Sequence, residues 1–163
     1  MSNIHEYSII EIIDDIEAKN MMFSIPYLAK IKNSEKKIQF ISFFAEWCPN
    51  CESEAVNLKT YIDKYSPVID FSIVMQFSSN FKSKKFVSKF KLNSKLIEPE
   101  CLLKDENLNK KTSFYKFRKV LNDERKWGVP FHIIKIIKQK GVEIFVIKGE
   151  SRKEELQNFL DRL

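Results

Sequence analysis

The sequence has few cysteines, glycines and prolines: 3, 3 and 5 among 163 residues. Three cysteines exclude a disulfide-rich secreted scaffold, and the low glycine and proline content excludes a collagenous or low-complexity chain. Hydrophobic residues make up 44% of the chain, which is too high for an intrinsically disordered protein. We therefore expect a single domain, residues 1–163, that folds without a disulfide or metal framework.

Long hydrophobic runs and an export signal are also missing. No apolar run approaches the ~20 residues that a transmembrane helix needs. Near the N-terminus the isoleucines are interrupted by Glu11, Asp14 and Asp15, and no basic residue precedes them, which is not typical of an export signal. We expect a cytoplasmic protein with no stable membrane insertion, while export through a removed leader is not excluded. In a reducing compartment, a close cysteine pair is more often catalytic or metal-binding than structural.

Two capping-box patterns predict a helix near each end of the chain. Ser8 is followed by Glu11, and Ser151 is followed by Glu154. Isoleucines at positions 9, 12, 13 and 16 then share one helical face, and an apolar stripe follows the second pattern. The sequence thus predicts an N-terminal helical extension and a C-terminal helix.

Apolar runs between these ends predict strands. Lys37–Phe44 and Ile69–Phe77 are apolar on both faces, which favours buried strands, and two runs that flank Gly141 predict an antiparallel hairpin. Three more helices are predicted from apolar stripes, around residues 55–65, 86–90 and 114–121. This alternation indicates an α/β fold with a mixed central sheet flanked by helices.

A Cys-x-x-Cys motif lies between the first buried strand and the following helix. The free N–H groups at a helix start favour a thiolate at Cys48, and a thiolate is the species that attacks a disulfide. Cys51, about one turn later, can then resolve the mixed disulfide. Pro49 suits an early helical position because its φ is already helical and no N–H is needed there.

The segment Phe43–Cys51, FFAEWCPNC, resembles the active-site stretch of thioredoxins, and Gly128-Val129-Pro130-Phe131 resembles their second hallmark, the cis-proline before a strand. The resemblance covers about two thirds of the chain. It implies a thioredoxin-like fold in which Pro130 packs against the cysteines. It also implies a substrate-docking surface formed by Trp47, Pro49, Val129 and Pro130, where the Val129 backbone pairs with an extended substrate.

One departure from thioredoxins concerns the buried acid beneath the cysteines, because Ser42 stands at that position. Glu54, three residues after Cys51 and on the same helical face, is a candidate replacement as proton acceptor. A glutamate at this place resembles the membrane-anchored thioredoxin-like reductases of cytochrome c maturation. The alternative is that Glu54 only complements the positive end of the helix.

Two further departures are the dipeptide and the spacing. Pro-Asn replaces the Gly-Pro of thioredoxins, so the sequence does not fix the reduction potential or the direction of electron flow. The segment between Cys51 and Pro130, residues 52–129, is about twice as long as the roughly 40 residues that the expected helices, strand and loops need. This excess length indicates an insertion at about 93–126, before the cis-Pro strand. Residues 81–120 hold 12 basic and 4 acidic residues, a local balance of +8. A solvated surface is favoured over a nucleic-acid, lipid or acidic-partner site.

Other roles for the cysteines and histidines were weighed. A zinc site would need Cys101 and either His132 or His5 besides the motif, but there is no second close pair of ligands. Cys101 is interpreted as a buried thiol, with a redox role open if it proves exposed. His132 is interpreted as an ordinary strand residue and is left out of the mechanism.

The sequence as a whole predicts a thiol–disulfide oxidoreductase of the disulfide-reductase type. Cys48 and Cys51 would be catalytic, Glu54 would accept a proton, and no metal or organic cofactor is expected. The expected partners are a disulfide-containing protein substrate and a recycling reductase, with a monomeric state and no nucleic acid. The alternative is a client-specific peptide-binding or chaperone-like module with little general redox turnover, in which the insertion recognises the client.

Overall fold

The computed structural model describes residues 4–26, 28 and 36–163. In this part of the chain the elements are β1 Tyr7–Ser8, β2 Ile10–Ile12, α1 Ile16–Ser24, β3 Ile38–Phe44, α2 Pro49–Tyr65, β4 Ile69–Met75, α3 Asn80–Lys89, β5 Lys95–Ile97, α4 Glu106–Lys110, α5 Ser113–Val120, β6 Phe131–Lys138, β7 Gly141–Ile147, β8 Glu150–Ser151 and α6 Lys153–Asp161.

The main sheet has six strands in the order β2-β7-β6-β3-β4-β5. Strands β3, β4 and β5 run parallel, while β6 is antiparallel to both β3 and β7. The register pairs Ser42 with His132 and Phe43 with Phe131, so the end of β3 meets the start of β6. The predicted α/β fold with a mixed central sheet flanked by helices is confirmed, as is the hairpin around Gly141.

Strand β3 runs through the centre of the core, as its apolar sequence predicts. Phe40, Phe43 and Phe44 are fully buried because β3 is covered on both faces. Helix α2 packs its buried Ala55, Leu58 and other apolar residues into the same hydrophobic cluster. The β3–α2 connection, which contains the two cysteines, is therefore held between two elements of the hydrophobic core.

The predicted helix starting at Ser8 is wrong. Residues 7–12 form two short strands, and the first helix begins at Ile16 with Asp15 as its N-cap. Strand β2 pairs with the edge of β7, so Ile10 lies opposite Ile147. The backbone hydrogen bonds offered by this open sheet edge outweigh the local capping pattern. The N-terminal extension is thus two strands followed by one helix.

The predicted C-terminal helix is confirmed, but its cap is not Ser151. Helix α6 begins at Lys153 with Arg152 as N-cap and no side-chain capping bond. Ser151 belongs to β8, where its hydroxyl and backbone N–H both bind Glu54. The capping pattern at Ser151 was therefore misleading, because this serine donates hydrogen bonds to a buried carboxyl group instead of capping the helix.

The insertion contributes core residues next to the cysteine motif. Thr112 caps α5 because its hydroxyl accepts the backbone N–H of Tyr115. Helix α5 then stacks Phe114 on Phe43 at 4.2 Å between ring centroids, and Phe114 also meets Phe131 edge-on at 5.3 Å. The insertion therefore supports both β3 and β6 at the end of the sheet where the motif lies.

Candidate active site

Cys48 and Cys51 lie at the junction of β3 and α2. Cys48 is the N-cap of α2, Pro49 takes the first helical position, and the Sγ of Cys48 accepts the backbone N–H of Cys51 at 3.1 Å. Both cysteines are free thiols. Cys48 is 6% exposed and Cys51 is fully buried, so the first thiol is the one that a substrate can reach.

The two thiols have opposite electrostatic environments. A hydrogen bond from the Cys51 thiol, joined by the backbone N–H groups of Cys51 and Asn50, lowers the pKa of the Cys48 thiol against the effects of burial and the Glu6 charge. Burial raises the pKa of the Cys51 thiol well above its usual value, and the neighbouring Cys48 adds to the rise. The arrangement favours a thiolate at Cys48 and a protonated thiol at Cys51.

Pro130 lies beside the cysteine motif although it is distant in the sequence. The Val129–Pro130 peptide bond is cis. The Sγ of Cys48 lies 3.7 Å from the carbonyl oxygen of Val129, a contact that spans 81 residues of sequence. The pairing of Phe43 with Phe131 explains this proximity, since it aligns the end of β3 with the start of β6.

A cleft of about 390 Å³ opens over Cys48. Of the residues assigned to docking from the sequence, Trp47, Pro49 and Val129 line it. The lining also includes residues that were not assigned to docking: Ile4 and Glu6 near the N-terminus, Asn50 of the cysteine motif, Arg125 and Lys126 of the insertion, and Trp127 and Gly128 just before Val129. The N-terminal segment reaches the cleft because the Asn50 side chain donates to the carbonyl of Ile4 at 3.0 Å.

Trp47 forms one wall of the cleft and is held on three sides. Its indole N–H donates to the carbonyl of Phe77 at 3.1 Å. Trp127 meets it edge-on with ring centroids 5.7 Å apart, and the Nζ of Lys104 lies 3.8 Å from the Trp47 ring centroid. Lys104 belongs to the insertion and Trp127 directly follows it, so the insertion and the segment before Val129 both shape the aromatic wall of the cleft.

A buried charge cluster fixes the backbone that leads to Pro130. Arg118 is fully buried and donates to the carbonyl of Arg125 at 2.9 Å. Asp123 accepts two side-chain hydrogen bonds from Arg125, at 3.0 and 2.9 Å, and lies 3.4 Å from Arg118. Arg125 in turn donates to the carbonyl of Pro130 at 3.0 Å. Arg125 also lies 3.5 Å from Glu6, so two carboxylates balance the two arginines.

Glu54 is fully buried and faces the sheet instead of solvent. The hydroxyl of Ser151 donates to Glu54 Oε1 at 2.7 Å, and the Ser151 backbone N–H donates to Oε2. The Nε2 of His132 lies 3.4 Å from Oε2. The exposed acidic residue in the first turn of α2 is Glu52. Glu54 is thus part of an interior polar cluster on the helical face of Cys51.

Several solved structures have an overall fold similar to that of this chain. A secreted disulfide oxidoreductase of Mycobacterium tuberculosis, described as homologous to E. coli DsbE, is 21% identical with a TM-score of 0.54, over 78% of this chain and 82% of that one. A thiol:disulfide interchange protein of the thioredoxin family from Chlorobium tepidum is 17% identical with a TM-score of 0.54, over 77% and 79%. A thioredoxin-like protein from Aeropyrum pernix is 12% identical with a TM-score of 0.56, over 82% and 81%. No protein-family model and no curated protein matches the sequence.

The chain has the thioredoxin-like fold. Within this thioredoxin-like frame, the structure gathers Trp47, Cys48, Pro49 and Val129 around one cleft, with Pro130 next to them in the chain. Glu54 lies beneath this surface, on the buried side of α2.

The sequence did not indicate that His132 lies next to Glu54. It is fully buried, its Nδ1 is 2.8 Å from the hydroxyl of Ser42, and its Nε2 faces Glu54. The spacing from Pro130 was the available signal, because residues two apart on a strand share a face of the sheet. That signal was weak because strand histidines are commonly structural.

The other residues that were considered as zinc ligands, His5 and Cys101, have partners away from the cysteine motif. His5 pairs with Glu150 at 2.9 Å, and the thiol of Cys101 donates to the carbonyl of Leu103 at 3.1 Å. Cys101 is 7% exposed, which agrees with its interpretation as a buried thiol. In the described part of the chain, no group of three or more His, Cys, Asp or Glu side chains is placed to hold a metal ion. Among the described helices, none has the length and apolar character needed to cross a membrane.

Proposed function

We propose that this protein is a thiol–disulfide oxidoreductase that reduces protein disulfides through Cys48 and Cys51. The observation that supports it is the free thiol of Cys48, capping α2 and 3.7 Å from the Val129 carbonyl at the floor of an open cleft. The hydrogen bonds that lower the pKa of Cys48 supply a nucleophile. Two of the compared proteins, a disulfide oxidoreductase and a thiol:disulfide interchange protein, are named for the same chemistry.

The reaction has two steps. The Cys48 thiolate attacks one sulfur of the substrate disulfide, forming a Cys48–substrate bond and releasing the other substrate sulfur as a thiolate. Cys51 then loses its proton and attacks Cys48, which forms the Cys48–Cys51 disulfide and releases the second substrate thiolate. Both released thiolates take protons from solvent or from the protein. The substrate gains two electrons and the cysteine pair loses them, so a reducing partner must restore the dithiol.

Substrate would dock along the cleft in an extended form. The backbone of Val129 is placed to bind a substrate strand, with Trp47, Pro49 and Pro130 as neighbouring contact surface. Glu54 is the proposed acceptor of the Cys51 proton, because Cys51 is fully buried and its proton cannot pass directly to water. We place this chemistry in a reducing compartment such as the cytoplasm.

Insulin reduction by dithiothreitol tests the proposal. The wild type should accelerate precipitation of the insulin chains, and Cys48→Ser should abolish the acceleration. Cys101→Ser is the matched control, since its thiol is equally buried but bonded elsewhere, and it should retain full activity. A Cys48→Ser variant as active as the wild type would refute the proposal. The direction is tested separately by titrating the cysteine pair in glutathione buffers.

A client-specific module is the second candidate, and it is favoured by the contribution of the insertion to the cleft. Arg125 and Lys126 line it, and Lys104 lies over the ring of Trp47. Such a module would show little activity on insulin while still forming a mixed disulfide with its client. Cys51→Ser blocks resolution, so clients captured on Cys48 can be identified by mass spectrometry, with Cys48→Ser/Cys51→Ser as the background.

A further inference from the structure

His132 is a buried titratable side chain to which the proposed reaction assigns no role. It lies on β6, two residues after Pro130, and is paired in register with Ser42 of β3. Phe40 and Phe44 enclose the imidazole, with ring centroids at 5.3 and 6.0 Å. A fully buried imidazole among aromatic rings needs polar partners for both ring nitrogens.

The hydrogen-bond donors around Glu54 define the protonation pattern of the cluster. Ser151 donates both its backbone N–H and its hydroxyl to the Glu54 carboxylate. The Ser151 oxygen then accepts from the Tyr61 hydroxyl, which lies 2.8 Å away. Burial raises the pKa of Tyr61, so this hydroxyl keeps its proton. Both Ser151 groups donate to Glu54, so each oxygen of the carboxyl group accepts one hydrogen bond.

The same reasoning fixes the tautomer of His132. Its Nε2 faces Oε2 of Glu54 at 3.4 Å, and a lone pair on this nitrogen would face the lone pairs of the carboxylate. The hydrogen must therefore be on Nε2, and Nδ1 accepts the hydroxyl of Ser42 at 2.8 Å. The 3.4 Å separation is longer than a hydrogen bond, and Nε2 has no closer partner among the described residues.

We propose that His132 is a positioning residue for Glu54: its Nε2–H, held in place by Ser42, orients the Glu54 carboxylate to receive the proton of Cys51. The inference rests on the proposed function, and specifically on the role proposed there for Glu54. In the resolving step the proton moves from the Cys51 sulfur to a Glu54 oxygen while the Cys51 sulfur bonds to Cys48 and the substrate sulfur leaves. Tyr61 of α2 is the titratable group that the charge of Glu54 affects, and the neutral hydroxyls next to the pair are those of Ser42 and Ser151.

A double-mutant cycle tests this coupling in the intact protein. A mixed disulfide is preformed between Cys48 and a small aromatic thiol, and its resolution is followed from pH 5 to 9 in the wild type, His132→Leu, Glu54→Gln and the double variant. We expect His132→Leu to slow resolution roughly tenfold at neutral pH and to change the pH profile. In the double variant we expect no slowing beyond that of Glu54→Gln, because His132 acts through Glu54. Independent, additive effects would overturn the proposal.

His132→Gln is the conservative variant, since its amide can place an N–H near Glu54. It should recover much of the rate lost in His132→Leu, whereas a purely structural role would be better served by the apolar leucine. Cys48 alkylation should have the same rate in all these variants, because the attacking thiol does not contact His132. Equal resolution rates for His132→Gln and His132→Leu at every pH would count against a positioning role.

The tautomer provides a readout that needs no activity. Long-range ¹H–¹⁵N NMR of the histidine ring should show the hydrogen of His132 on Nε2 near neutral pH, and Ser42→Ala should weaken that preference. A hydrogen on Nδ1 in the wild type would refute the inference even in a fully active protein. Conversely, an inactive wild type with the Nε2–H tautomer would refute the proposed function and leave the geometry of the pair intact, so the two failures are distinguishable.

Discussion

Gly128 lies directly against the guanidinium group of Arg118, so that a Cβ atom at position 128 would overlap it. Gly128 also has a φ of +69°, a backbone conformation that residues with a side chain rarely adopt. Arg118 cannot give way easily, because it is fully buried and holds the carbonyl of Arg125. The lack of a side chain at Gly128 is therefore what allows the backbone before Val129 to lie against the buried cluster.

We expect Gly128→Ala to lower the free energy of unfolding and the disulfide-reductase activity together. Overpacking a buried site costs roughly 1–3 kcal/mol, and placing an alanine at this positive φ adds a further cost. Gly141→Ala is the control, because Gly141 also has a positive φ but no atom within 4 Å of the Cβ position. Denaturant titration should show a larger loss for Gly128→Ala. Equal losses would mean that Arg118 moves aside at little cost.

The buried carboxylate of Asp123 should make stability depend on pH. Burial would raise the pKa of Asp123, but the hydrogen bonds and charge of Arg125, joined by the charge of Arg118, outweigh burial and lower this pKa. A carboxyl group whose folded pKa is lowered stabilises the fold above its unfolded pKa. That contribution is lost as the pH falls through the folded pKa.

We expect Asp123→Asn to lose about 3 kcal/mol at neutral pH, because the buried Arg118 and the partly buried Arg125 would lose this counter-charge. The difference from the wild type should shrink as the pH falls below about 4. Asp63→Asn breaks an exposed pair with Lys59 and should cost less than about 1 kcal/mol at any pH. Denaturant midpoints measured from pH 2.5 to 7 provide the test, and a pH-independent loss for Asp123→Asn would contradict the electrostatic explanation.

The strand–motif–helix unit and the hairpin were predictable from the sequence because their signals are local. Apolar runs mark β3 and the hairpin, and the cysteines fall between a strand and a helix start. The prediction that Cys48 and Val129 lie close together depended on two motifs that resemble those of a known family. Periodicity alone could not have placed Pro130 beside Cys48.

The interior polar cluster could not have been predicted, because its members come from four separate elements. Ser151 reads as a helix cap, and only the tertiary structure shows that it binds Glu54 instead. The N-terminal strands were missed for a similar reason, since an open edge of β7 is invisible in the sequence of residues 7–12. Long-range hydrogen bonds thus account for most of the errors.

The hydrogen bond between the two thiols should control the reactivity of Cys48. The Cys51 thiol is the largest contributor to the lowered pKa of Cys48, so Cys51→Ala should raise that pKa and slow alkylation near neutral pH. Cys51→Ser keeps a donor of similar size and should remain close to the wild type. Iodoacetamide labelling of Cys48 across pH 5–9, followed by mass spectrometry, measures both. Identical profiles for the two variants would exclude a role for this hydrogen bond.

Trp127 should affect substrate binding more than catalysis. It lines the cleft and meets Trp47 edge-on, but the structure shows no contact between it and the sulfurs. We expect Trp127→Ala to raise KM for a protein disulfide several-fold while kcat changes little. Trp127→Phe, which keeps an aromatic ring, should be milder. A fall in kcat with unchanged KM would instead indicate that Trp127 contributes to the chemical step.

Glu54 and Glu52 provide a matched pair for testing the proposed proton acceptor, because both lie on the first turns of α2 but only Glu54 is buried. If a negative charge near the helix start were all that mattered, Glu52→Gln and Glu54→Gln would have similar small effects. We expect a different result. Burial raises the pKa of Cys51 well above its usual value, so resolution near neutral pH depends on a nearby base. Glu54→Gln should therefore slow resolution of a preformed mixed disulfide at least tenfold at neutral pH, less at high pH, and Glu52→Gln should not. Unfolding curves of both variants show whether Glu54→Gln is folded under the assay conditions, and an unchanged pH–rate profile in a folded Glu54→Gln would remove Glu54 from the mechanism.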